Sequence, residues 1–208
     1  QGERIAGQAF RDKMASDAII RYNIGGDPNN LVTPATVAPY TEEEAARFEI
    51  DYPVLEQYLG FFAGCDILIA DPGAEIDLLA ATGRFDLIRD YVGFLRGRFE
   101  TVITSVHHAG LTIPRLEEEN IPVDGYLTTV NSPGTFMLPT QELALDAIRS
   151  ASKPVIAIKP MAGGRFLGEQ AFDYVFNEVG VSASMFGMGT LEQVRQTTGA
   201  ARTVLGLN

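Results

Sequence analysis

Lys153-Pro-Val-Ile-Ala-Ile-Lys-Pro-Met-Ala-Gly-Gly-Arg165 is the stretch on which the fold turns. Val155 to Ile158 is a short, wholly apolar run that stops abruptly at a lysine, a proline and two glycines. A run of that length reads as a strand buried on both faces, and the glycines read as the turn that leads into the next helix.

The same unit recurs on both sides. Runs rich in Ile, Val and Leu fall at Ala18 to Ile24, Asp66 to Ala70, Thr101 to Val106, Gly125 to Val130, Pro154 to Ile158 and Ser182 to Phe186. Helical patterns separate them. Thr41 to Ile50 opens with the capping box Thr41/Glu44, and Val54 to Phe62 follows Pro53. Further helices are expected over Phe85 to Phe99, Thr140 to Ala151, Gly168 to Val179 and Leu191 to Thr198, with a short one near Arg115 to Glu119 and another over Gly2 to Ala15. Strands that alternate with helices form parallel βα units.

Each of the last five runs is followed at once by polar or glycine-rich residues: Asp71-Pro72-Gly73, His107-His108, Asn131-Ser132, Lys159-Pro160 and Gly187-Met188-Gly189-Thr190. Positions 107, 131, 159 and 187 are 24, 28 and 28 residues apart, close to one βα unit of roughly 30 residues. All should therefore face one rim, at the carboxyl ends of the strands. Gly25 to Tyr40, with Pro28, Pro34 and Pro39, reads as a long loop over that rim, either a lid or a passive surface segment.

Composition narrows the function. Of 208 residues, 46% are hydrophobic and 21% charged, which suits one folded domain over residues 1–208. The net charge of −11, with no Lys/Arg run, removes the basic face that nucleic-acid phosphates require. Apolar runs are far too short to span a bilayer, and the single cysteine, Cys65, cannot form an internal disulfide. The expected setting is cytoplasmic, with neither nucleic acid nor membrane as partner and with a homo-oligomer left open.

From Gly125 onward, about two fifths of the chain, the sequence resembles the last third of an aldo-keto-reductase-like TIM barrel. Lys153 to Arg165, Ala171-Phe-Asp-Tyr-Val-Phe176 and Gly187-Met-Gly-Thr-Leu-Glu-Gln-Val194 are similar to that superfamily's seventh and eighth βα units. The chain also resembles an uncharacterised group of TIM barrels with a His-His pair after the fifth strand. The resemblance implies an α/β fold, a (β/α)8 TIM barrel, of which the six runs would be the third to eighth strands. About 60 or more residues, two βα units, would then precede Gln1.

The reductase chemistry is not expected to carry over. That family uses an Asp and a Tyr near the second strand, a Lys ending the third and a His ending the fourth. Here the third strand, Ile19-Ile20-Arg21-Tyr22-Asn23-Ile24, has no Lys, and the fourth ends in Asp71. An NADPH-dependent reductase is accordingly the secondary reading.

The rim residues offer other chemistry. Asp71 could act as a general base or metal ligand, or merely close an Asp-Pro-Gly turn. His107 and His108 are the only histidines, and alternation turns one of them to the pocket. His107 is the expected one, as a base or as a divalent-metal ligand with Asp71; a structural, hydrogen-bonded histidine is the alternative. Lys159 could form a Schiff base or hold a carboxylate or phosphate as a plain cation. Gly163-Gly164-Arg165 and Gly187-Met188-Gly189-Thr190 are placed where this fold binds phosphate. Asn131 could orient a ligand by its amide or cap its own turn. The expected protein is an enzyme with catalytic Asp71, His107 and Lys159, acting as a lyase, isomerase or hydrolase on a small anionic metabolite. A barrel without catalysis, binding a metabolite or serving as an assembly subunit, is the competing reading.

Overall fold

The computed structural model describes residues 40–73 and 75–207. The helix expected over 2–15, the strand over 18–24 and the loop over 25–39 lie outside the described residues. Within them the chain is α/β. Strands β1 (Ile103–Val106), β2 (Gly125–Thr129), β3 (Val155–Ile158) and β4 (Ala183–Met185) form one parallel sheet in the order β1-β2-β3-β4. These are the last four of the expected strands. Each is joined to the next through a helix, as parallel neighbours require.

The helices are α1 (Glu42–Ala46), α2 (Tyr52–Gly60), α3 (Glu75–Ala81), α4 (Phe85–Arg96), α5 (Ala109–Glu118), α6 (Gln141–Ser150), α7 (Glu169–Asp173) and α8 (Leu191–Val204). The capping box forms as expected: Glu44 N donates to Thr41 Oγ1 at 3.2 Å, and Thr41 N donates to Glu44 Oε2 at 2.9 Å. The single helix expected over 168–179 is divided. α7 runs into a π-helical turn, Tyr174–Val179, that closes at Gly180 in the left-handed region.

The run 66–70 is a correction. It pairs with the sheet through one parallel bridge, Ala70 to Val102. Ala70 N donates to Thr101 O and Ile103 N to Ala70 O, both at 3.0 Å. The next rung would need an N–H from residue 72, which is proline and has none. Ser105 N, which that rung would have tied to the residue 72 carbonyl, donates instead to Asp71 Oδ1 at 2.9 Å. The side chain of Asp71 thus replaces the missing backbone acceptor and the strand ends there.

Two helices depart from expectation. α3 occupies a stretch for which the sequence patterns predict no helix, and its Ile76, Leu78 and Leu79 are almost completely buried. α5 begins at Ala109 rather than near residue 115, because Gly110 and Pro114 are not breakers here. Gly110 lies where α5 meets α6: a Cβ on it would stand 2.9 Å from the Leu143 carbonyl carbon and Cβ. Only glycine permits that approach.

One continuous apolar core joins the sheet to the helices, with Tyr126, Phe172, Ile88 and Leu116 fully enclosed. Burial fades across the sheet. Every residue of β2 is buried, β3 alternates, and in β4 Met185 is 56% exposed. At the opposite edge Leu68 is 82% exposed. Among the described residues no helix is long and apolar enough to cross a membrane.

Candidate functional site at the carboxyl ends of the strands

Register aligns the strand ends. Thr129 pairs with Ile158 and Ile158 with Met185, so Lys159 is the first residue beyond a shared edge. Its backbone is left-handed, with φ 55°, a conformation that costs a non-glycine residue roughly 1–2 kcal/mol. Two hydrogen bonds hold the turn. Ala162 N donates to the Lys159 carbonyl at 3.0 Å, and the Asn131 amide nitrogen donates to the same oxygen at 3.2 Å.

Asn131 is fully buried just past β2. Its Nδ2 also donates to Thr135 O at 2.9 Å, and its Oδ1 accepts from Thr135 N at 2.9 Å. Both amide hydrogens are therefore engaged. The residue orders the loop and fixes Lys159; it does not present its amide to a ligand.

Beside Lys159 opens a cleft of about 980 Å³ at the ends of β3 and β4. Leu167, Met185 and Phe186 supply apolar walls, Gln193 a polar one, and Gly163 and Gly164 a stretch of bare backbone. Among the described residues Lys159 is the one charged residue of that lining. Its Nζ stands 5.9 Å from the centre of the Phe136 ring, within cation–π range. No carboxylate of the described residues pairs with it. The side chain is open to solvent along the cleft, yet desolvation by the surrounding atoms holds its ammonium below the ordinary lysine range.

The two glycine loops differ in what they offer. Ala162, Gly163 and Gly164 are all left-handed, and the two glycines line the cleft. Arg165 is exposed and turns one guanidinium N–H back on Ala162 O at 3.3 Å. After β4, Gly187 lines the cleft. Gly189 N, however, donates to Gln193 Oε1 at 2.7 Å, and Thr190 Oγ1 accepts from Gln193 N at 3.1 Å. Gly189 and Thr190 thus serve the capping of α8, and the helix start is less open to an anion than the sequence pattern alone implies.

Asp71 and the histidine pair lie elsewhere on the rim. Asp71 Oδ1 accepts from Gly73 N at 2.9 Å as well as from Ser105 N, and Oδ2 from the Ser105 hydroxyl. It closes the turn and ends the strand, the bland of its two expected roles. His107 follows β1, two strand positions from Lys159. At about 4.8 Å per strand the two backbones stand about 10 Å apart.

His107 and His108 are organised by a residue the sequence reading passed over. Asp77, on α3, is 2% exposed. It accepts from His107 N at 2.5 Å, His108 N at 3.3 Å and the Thr112 hydroxyl at 2.6 Å. A buried carboxylate at the start of α5 thereby satisfies amides that the helix leaves orphaned. Its Oδ2 lies 3.8 Å from His107 Nδ1, which is buried and makes no hydrogen bond among the described residues. His107 Nδ1 faces Asp77, while the Asp71 carboxylate is engaged by Gly73 and Ser105. Among the described residues no group of three or more His, Cys, Asp or Glu gathers as a metal site.

Phe136 and Asp77 are the site residues that sequence reading missed. Phe136 sits in a loop whose left-handed backbone, φ 60°, has no sequence signature. Asp77 could have been found from the buried apolar pattern of Ile76, Leu78 and Leu79 around it. Comparison with models of known protein families and with curated proteins gives no match to this chain.

Proposed function

We propose that the chain is the larger part of a (β/α)8 barrel enzyme and that its ligand is a small carboxylic acid held at Lys159. Two features support the barrel. Consecutive strands are parallel neighbours throughout, and both outer edges carry uncovered apolar side chains, Leu68 and Met185, where further strands would pack.

One observation carries the ligand assignment: in a protein of net charge −11, the one charged side chain that the described residues bring to this cleft is a lysine, and no described carboxylate pairs with it. A cation in apolar surroundings attracts an anion more strongly than one in water does. A carboxylate with a short apolar tail suits the leucine, methionine and phenylalanine walls. A phosphate fits less well, since Gly189 N and the start of α8 are already engaged. The reaction would be of the lyase, isomerase or hydrolase type, with proton transfer by groups on the same rim.

Calorimetric titration with butyrate tests the assignment. Wild-type protein should bind, and Lys159→Met should bind at least tenfold more weakly while keeping its circular dichroism spectrum. Equal binding by the two proteins would refute it.

A further inference from the structure

We infer that Lys159 is an amine nucleophile that forms an imine with short-chain 2-oxo acids in the cleft between the ends of β3 and β4. The inference rests on the carboxylate reading above and deepens it by naming the reactive carbon and the bond that forms.

Four observations converge. Lys159 is held in one place at its backbone, by Asn131 and by the Ala162 turn, so its reach into the cleft is defined. Among the described residues its nitrogen has no ion pair that would keep it protonated and occupied. The cleft is bordered mainly by apolar side chains, with Gln193, Gln196 and Thr197 on one side, and among the described residues it holds no acidic one, a setting in which a neutral amine is favoured over an ammonium. The lowered proton affinity of the amine agrees with that setting. A comparison inside the molecule sharpens the point. The chain has three lysines, Lys13, Lys153 and Lys159. Lys153 lies against the Tyr126 ring, but its Nζ donates to Ile121 O at 3.0 Å, whereas among the described residues no such bond engages the Lys159 ammonium.

The step balances without any further reagent. The neutral Nζ adds its lone pair to the ketone carbon, forming a C–N bond while the carbonyl π pair moves to oxygen. That oxygen takes up two protons, one lost from nitrogen and one from solvent, and leaves as water, giving a protonated imine. The proton taken from solvent leaves the imine with one positive charge, beside the acid's own carboxylate. Phe136 would face the iminium as it faces the ammonium.

Reductive trapping tests this. The full chain is incubated at neutral pH with 2-oxobutyrate and sodium borohydride, which delivers hydride to a C=N bond and fixes the acid as a secondary amine. Peptide mapping then locates the adduct among the three lysines. At least tenfold more adduct is expected at Lys159 than at Lys153, reduced by excess butyrate and absent in both Lys159→Met and Lys159→Asn, the second chosen because asparagine accepts a left-handed backbone. Equal labelling of Lys153 and Lys159 overturns the inference. No adduct, with butyrate still bound by wild type, overturns the imine and leaves the carboxylate reading standing. No adduct and no butyrate binding overturns both.

Discussion

The side-chain amide of Asn131 donates to the backbone oxygen of Lys159 at 3.2 Å, joining the loop after β2 to the turn after β3. One buried side chain therefore spans two strand ends and holds Lys159 in a left-handed conformation. The site depends on a residue that need not touch any ligand.

Asn131→Ala should be costly. It leaves Thr135 N, Thr135 O and the Lys159 carbonyl without this partner, for a loss of about 3 kcal/mol. Asn131→Asp preserves the shape but removes both donors, so it should not rescue the loss. Urea midpoints at unchanged slope measure the effect, and a loss below 1 kcal/mol would remove Asn131 from its positioning role.

Asp77 should behave as the anchor of α5. Asp77→Ala strands two amides and a hydroxyl in the interior and should cost about 3 kcal/mol. Because Thr112 shares the carboxylate, the double variant with Thr112→Val should lose less than the two single losses added together, by about 1 kcal/mol. Strict additivity in denaturant melts would show that the contact at 2.6 Å contributes nothing.

Gly110→Ala replaces glycine by the better helix former, a change worth about 1 kcal/mol in an open helix. Here the new methyl would meet Leu143 at 2.9 Å. The expected result is a net destabilisation of about 1–3 kcal/mol. A rise in melting temperature would show that α5 and α6 lie farther apart.

Stability should depend on pH through Lys159. Its proton affinity is lowered in the folded protein by desolvation, so between the folded pKa and the ordinary value of 10.5 the unfolded chain binds more protons. Stability from this site therefore rises with pH across that interval, and below it the cost of the charged lysine is felt in full. Lys159→Met should accordingly be more stable than wild type at neutral pH. The gap should narrow as pH climbs toward 10.5. A gap that stays constant in parallel thermal melts contradicts the assignment.

Much of the fold was legible because alternation of apolar runs with helical patterns is a property of sequence alone. The runs at 101–106, 125–130, 154–158 and 182–186 became β1 to β4 for that reason. The run at 66–70 looked as strong, but only Ala70 pairs with the sheet, and Pro72, which has no N–H, keeps the ladder from extending past it. α3 and the start of α5 were hidden by Gly73, Gly110 and Pro114, residues whose usual meaning is a break. At the site, Lys159 was visible as a polar residue closing an apolar strand. The roles of Asp71, Asn131, Gly189 and Thr190 were not, since the same residue types serve turns, caps and ligands, and only their hydrogen-bond partners distinguish the uses.

The central claim is that a small acid binds where Lys159 closes β3. The backbone amide NMR spectrum of the full chain, titrated with butyrate, tests it most directly. The largest shifts should fall on Phe136, Lys159, Gly163, Gly164 and Gly187, and they should vanish in Lys159→Met. Shifts centred instead on Asp71, Ser105 and His107 would place the ligand site at β1 and contradict the account.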